Sequence, residues 1–179
     1  KSRIGVVGAG TMGNGIAQLF AATGHPVTLR DLKPEFLDRG LAAVGDSLGR
    51  LVAKEKMSAA DRDAVLARIK PTTDAAELAG CAVVVEAVVE NYDIKAGLIR
   101  ELDAICSEET IFATNTSSIS VTRLAAASKN PGRVIGMHFF NPVPLMQLVE
   151  IIRALQTSDE TSQAIVSLTE SLEIGRAHV

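Results

Sequence analysis

The chain has 179 residues, 47% hydrophobic and 22% charged, with a formal net charge of −3. This composition excludes a disordered tail, a collagenous repeat and a disulfide scaffold, and it offers no basic field to recruit nucleic acid or an anionic membrane. A domain of this length buries a sizeable core, and with five Phe, one Tyr and no Trp that core must come from alanine and branched aliphatics, which suits closely layered helices and strands.

Arg3 to Val7 is a β-branched run that reads as a buried strand. It passes into Gly8-Ala9-Gly10-Thr11-Met12-Gly13 and then an apolar helical stretch from Asn14 to Thr23, stopped by Gly24. Pro26 to Leu29 is a second strand, so the first thirty residues form a βαβ unit with parallel strands. Residues 33–69 read as a helical insertion: an amphipathic helix to Lys56, then a shorter one through Ile69, opened by a Ser58-x-x-Asp61 cap. Strands follow at Ala82 to Val85 and Thr110 to Thr114, with helices at Tyr92 to Cys106 and Val121 to Ala127.

Arg133 to Phe140 and Leu145 to Ile152 are strands joined only by Asn141 to Pro144, too short a link for a parallel crossover, so this pair should be antiparallel. Thr157-Ser158-Asp159 caps a last helix running to about Ile174. The alternation predicts an α/β fold: a Rossmann-like, doubly wound, mostly parallel sheet with antiparallel last strands.

Gly8, Gly10 and Gly13 satisfy the GxGxxG fingerprint between a strand and a helix. Gly8 permits the tight turn, Gly10 lets backbone approach a pyrophosphate at the helix N-terminus, and Gly13 allows helix and strand to pack closely. Asp31, eighteen residues after Gly13, ends the second strand, where a carboxylate accepts from ribose hydroxyls and repels a 2′-phosphate. The expected cofactor is therefore NAD, although neighbouring Arg30 is a cation that could tolerate a phosphate. The alternative is a glycine turn without a ligand and a surface aspartate.

Cys81 and Cys106 lack a CxxC spacing or a nearby His, so they read as buried spectators, and no metal site is expected. The apolar run from Cys81 to Val89 is broken by Glu86 and falls short of a membrane span. Without a secretory leader pattern, a reducing cytoplasmic setting is the default expectation.

The second half carries longer motifs: Asn115-Thr116-Ser117-Ser118, then Gly136-Met137-His138-Phe139-Phe140-Asn141-Pro142-Val143-Pro144, then Leu148-Val149-Glu150. With Gly8 to Gln18 and Glu86 to Asn91, these resemble the NAD-binding domain of the 3-hydroxyacyl-CoA dehydrogenase family, most nearly its bacterial 3-hydroxybutyryl-CoA members. The resemblance implies that His138 is the catalytic base, that Glu150 is its partner carboxylate, and that Ser117 contacts the substrate oxygen, with Asn141 in the same pocket. Asn115, Ser117, Glu90 and Lys95 then belong to the cofactor site, Glu90 and Lys95 on its nicotinamide side, and Asn141 also to the acyl-CoA site. Ser47 and Lys54, on the inserted helix, match contacts to coenzyme A.

The resemblance also implies an acyl-CoA substrate and a longer polypeptide whose helical C-terminal domain, absent from this sequence, supplies most of a homodimer contact. Read without the family, His138 could be a satisfied strand histidine, Glu150 a solvated strand residue, Ser117 a helix cap, and Ser47 and Lys54 ordinary helix surface. His25, at a turn, is expected to be exposed, and His178 has no assigned role. The competing functions are a dehydrogenase of a free hydroxy acid or sugar acid, and a nucleotide-binding module without turnover.

Overall fold

A computed structural model describes residues 1–173 and 175–178. It contains one eight-stranded sheet in the order β3-β2-β1-β4-β5-β6-β7-β8. The strands are β1 (Ile4–Val7), β2 (Val27–Arg30), β3 (Ile69–Thr72), β4 (Val83–Glu86), β5 (Ile111–Thr114), β6 (Val134–Phe139), β7 (Leu148–Arg153) and β8 (Gly175–His178). The first six are parallel; β7 runs antiparallel to β6, and β8 is parallel to β7. The order 3-2-1-4-5-6 is that of a dinucleotide-binding doubly wound sheet, with its switch point between β1 and β4.

Alternation along the central strands supplies both hydrophobic faces. Ile4 and Val6 of β1 and Val83 and Val85 of β4 join one core with Ile16 and Phe20 of α1 (Thr11–Ala22). Val7 and Val84 point the other way, into a core with Leu98 and Leu102 of α4 (Tyr92–Ile105) and Leu124 of α5 (Val121–Ala125). Because helices cover both faces, the strands read as continuous apolar runs.

Two strands escape the sequence reading. The inserted helices exist as α2 (Pro34–Ala53) and α3 (Ala59–Ala67), the latter capped by Ser58 Oγ, which accepts from Asp61 N at 3.0 Å. However, Ile69 does not end a helix: it opens β3, so α2 and α3 form the crossover to a third parallel strand. Pro71 obscures that strand, but β3 is the sheet edge, where a residue without an N–H is tolerated. The second is β8, Gly-Arg-Ala-His, which lacks a β-branched residue and gains its identity from pairing with β7. Its predecessor α6 (Asp159–Ser171) starts at the Ser158 cap as expected; the expected end at Ile174 lies outside the described residues.

His25 is a further correction, because it is buried. Nδ1 lies 2.9 Å from Ser2 O and the ring packs edge-on against Phe20 at 5.7 Å. The turn at Gly24, with φ of +95°, folds it inward instead of releasing it. Cys81 and Cys106 are buried free thiols.

Candidate active site

The glycine loop lies between the end of β1 and α1, and its three glycines are small for different reasons. Gly8 has φ of +101°, and a Cβ there would lie 2.5 Å from Ala87 O. A Cβ on Gly13 would lie 1.6 Å from Gly8 O, so only glycine lets the helix sit this close to the turn. Gly10 differs: its φ of −68° is ordinary and a Cβ would meet nothing within 4 Å. No protein atom requires glycine at that position, but a ligand crossing the N-terminus of α1 would. This fits a dinucleotide pyrophosphate.

Asp31 follows β2 at the mouth of the loop. Its Oδ2 accepts from Ala9 N and its Oδ1 from Leu32 N, both at 2.7 Å. It therefore fastens the glycine loop as well as presenting a carboxylate, and each oxygen keeps a lone pair for a ribose hydroxyl. Arg30 is buried and pairs with Glu101 at 3.7 Å. A cavity of about 700 Å³ covers this region, lined by Gly8, Ala9, Gly10, Thr11, Asp31 and Val88 among others.

A second cavity, of about 320 Å³, lies beyond it and is lined by Met12, Glu90, Lys95, Asn115, Ser117, His138 and Asn141. Ala87 and Val88 line both, so the two are successive compartments of one cleft along the carboxyl ends of the central strands. Open α/β sheets bind ligands there.

The β6–β7 pairing puts His138 directly opposite Glu150. Paired residues share a sheet face, which sequence spacing alone could not establish. His138 Nδ1 lies 3.4 Å from Glu150 Oε2, and the Phe140 ring stands 4.7 Å from the imidazole. A carboxylate at Nδ1 sets the tautomer and leaves Nε2 as the nitrogen for proton transfer. Asn115 Oδ1 accepts from Phe139 N at 2.8 Å, fastening the end of β5 beside the histidine strand.

Glu90 collects three donors from the Asn-Thr-Ser-Ser turn: Thr116 Oγ1 at 2.5 Å, Ser117 N at 3.1 Å and Ser117 Oγ at 3.2 Å. Burial pushes its pKa up, but these hydrogen bonds and the nearby Lys95 charge outweigh that and hold the carboxyl below its ordinary value. Ser117 is not a helix cap. Ser120 caps α5, accepting from Arg123 N, and Thr116 Oγ1 accepts from Ile119 N.

The residue that sequence reasoning missed is Glu86, at the end of β4. Its carboxylate accepts from Lys95 Nζ at 2.5 Å, Thr114 Oγ1 at 2.6 Å and Val88 N at 2.9 Å. Both Glu86 and Lys95 are buried. The available signal was a single acid inside an otherwise apolar strand, which requires a buried partner. Ser47 and Lys54 are not brought to the cleft: Ser47 is half-buried on α2, Lys54 is exposed at its C-terminal cap, and neither lines either compartment.

The family profile of the 3-hydroxyacyl-CoA dehydrogenase NAD binding domain matches residues 3–179. The chain belongs to this family. A probable 3-hydroxybutyryl-CoA dehydrogenase of Deinococcus radiodurans is 52% identical over 170 residues, covering 95% of this chain and 61% of that protein. A 3-hydroxybutyryl-CoA dehydrogenase of Clostridioides difficile is 42% identical, covering 95% of this chain and 60% of its own length. Among solved structures, the (S)-3-hydroxybutyryl-CoA dehydrogenase PaaH1 of Ralstonia eutropha superposes with a TM-score of 0.98 at 48% identity, covering 99% of this chain and 63% of that one. The chain thus spans about three fifths of these relatives. Its cofactor is NAD, as the match to the NAD binding domain shows, and the open space at Gly10 leaves room for it. Among the described residues no three His, Cys, Asp or Glu are placed to hold a metal ion, and no helix is long and apolar enough to cross a membrane.

Proposed function

We propose that the protein oxidises an L-3-hydroxyacyl-CoA, most specifically 3-hydroxybutyryl-CoA, to the 3-ketoacyl-CoA, with His138 as general base. The observation that carries this reading is the His138–Glu150 pair, 3.4 Å apart across β6 and β7, in the compartment continuous with the dinucleotide cleft. NAD, when bound, accepts the hydride released from the alcohol carbon. His138 Nε2 takes the hydroxyl proton, and Glu150 steadies the imidazolium that forms. In the reverse direction the same imidazolium returns the proton to the ketone oxygen.

Ser117, held on Glu90, and Asn141, in the wall of the same cavity, are polar groups within the compartment and are assigned to the substrate oxygen and the acyl thioester. The assignment of acyl-CoA is supported by the names of the relatives. Ser47 and Lys54 are retained as contacts for the nucleotide end of CoA, reached outside the cleft. A homodimer and a cytoplasmic location complete the proposal.

The test is steady-state NADH formation from 3-hydroxybutyryl-CoA by the full-length protein. His138→Ala should lower kcat by about 10²–10⁴, and a loss of only a few-fold would refute the general-base role. Free 3-hydroxybutyrate serving as well as the thioester would overturn the CoA assignment and favour a free hydroxy-acid substrate.

A further inference from the structure

The buried Glu86–Lys95 pair takes no part in the proton chemistry above, yet its lysine stands in the wall of the cleft, with Glu86 behind it. We infer that Glu86 acts as a positioning residue which, by neutralising Lys95, leaves Glu90 as an uncompensated negative charge and so biases the site toward the oxidised cofactor. The inference rests on the proposed dehydrogenase reading only in seating the nicotinamide ring in the His138 compartment.

The charges that line this compartment are those of Glu90 and Lys95, with His138 as the other titratable group and Glu150 behind it. On their own, Glu90 and Lys95 would cancel. Lys95 Nζ, however, lies 2.5 Å from Glu86 Oε2 and 3.7 Å from Glu90 Oε1, so its charge is spent chiefly on Glu86. Every hydrogen-bond partner of Glu86 is a donor, the surroundings a carboxylate needs. Two carboxylates and one ammonium leave a net charge of −1.

The Lys95 and Glu86 side chains are only 2% and 7% exposed, so solvent weakens that pair little, whereas the Glu90 side chain that carries the excess charge is 39% exposed and is partly screened. The nicotinamide ring is cationic when oxidised and neutral when reduced. A negative wall therefore favours NAD⁺ over NADH, and at an effective dielectric of about 40, between that of a protein surface pair and bulk water, a unit charge about 6 Å away is worth on the order of 10-fold in relative affinity.

A purely structural Glu86 would behave differently. It also holds Val88 N and Thr114, and loosening that wall would weaken both cofactor forms alike. The discriminating quantity is the ratio Kd(NAD⁺)/Kd(NADH), measured on the full-length protein by NADH fluorescence titration and NAD⁺ competition at fixed pH and salt. Glu86→Gln and Glu90→Gln each remove a negative charge and should raise the ratio about 10-fold. Lys95→Met removes a positive charge and should lower it.

The double variant Glu86→Leu/Lys95→Met removes both members of the pair and should restore the wild-type ratio, even where the single Glu86 variant folds poorly. A ratio unchanged in Glu86→Gln, a Lys95→Met shift in the same direction as Glu86→Gln, or a double variant far from wild type overturns the inference. The ratios come from binding alone, so a failure to turn over hydroxyacyl-CoA would overturn the substrate reading and leave them standing.

Discussion

Alanine at Gly10 and at Gly13 should damage the same motif through separable routes. At Gly13 the new Cβ lies 1.6 Å from Gly8 O, a backbone atom with no rotamer to adopt, so α1 and the turn after β1 must part by more than 1 Å. Overpacking a tight core site typically costs about 1–3 kcal/mol. A backbone-to-Cβ clash with no flexible partner belongs at or above the top of that range. For a chain of this size each kcal/mol lowers Tm by roughly 2–4 °C, so a loss of about 6–12 °C is expected.

At Gly10 the backbone is already acceptable to alanine and the space is open. Losing glycine at a helix N-cap costs a few tenths to about 1 kcal/mol. The reduced freedom of the unfolded chain returns about 0.4–1 kcal/mol, so Tm should hardly move. The methyl group, however, stands where a pyrophosphate meets the helix N–H groups, and the Kd for NAD should rise at least about 10-fold. Thermal unfolding and NADH fluorescence titration read the two outcomes. A Gly13→Ala protein with wild-type Tm, or a Gly10→Ala protein with wild-type NAD affinity, would refute the reasoning for that glycine.

Glu150→Gln keeps the size of the side chain but removes the charge facing His138 Nδ1, so kcat should fall by about 10² or more while NAD affinity, measured by titration, stays within about two-fold. Asp103 is buried against Arg133 at 2.5 Å and also accepts from Ser128 Oγ and Lys129 N. Burial pushes its pKa up, but these donors and the guanidinium charge outweigh it and hold the carboxyl below the ordinary value of 3.8. Its stabilisation is therefore present above pH 3.8 and lost as pH falls through the depressed folded value. Asp103→Asn should cost about 3 kcal/mol in urea unfolding at pH 7, with the gap to wild type closing below pH 3.8; a gap independent of pH would contradict this. Burial also pushes the Cys81 thiol up to about 11 and raises Cys106. Both should resist a thiol reagent at pH 7.5 until denaturant is added, and rapid labelling of the native protein would show the cores to be open.

Much of the site is legible because its residues act close to their place in the chain. The glycine loop needs only a strand, a turn and a helix in succession, and Asp31 needs only the end of the next strand. What escaped depends on contacts made across elements rather than on the local pattern. Ile69 to Thr72 contains a proline and two exposed residues, and it becomes a strand because β2 offers it an edge. His25 looks like a turn histidine until Phe20 and Ser2 are seen to enclose it. Glu86 looks like a flaw in an apolar run until Lys95, one turn into α4, arrives beneath it. The β6–β7 link is also longer than four residues, because β6 stops at Phe139 and β7 begins only at Leu148.

The sequence by itself determined the class of fold, the dinucleotide fingerprint and the resemblance through His138 and Glu150, because apolar periodicity, glycine placement and motif order are properties of the local chain. Only the tertiary structure decided that His138 and Glu150 face one another, that Asp31 also ties down the glycine loop, and that Lys95 belongs more to Glu86 than to Glu90. Each of these is a matter of register or of distance across the sheet. A one-residue slip between β6 and β7 would send His138 and Glu150 to opposite faces with almost no change in the local pattern of either strand.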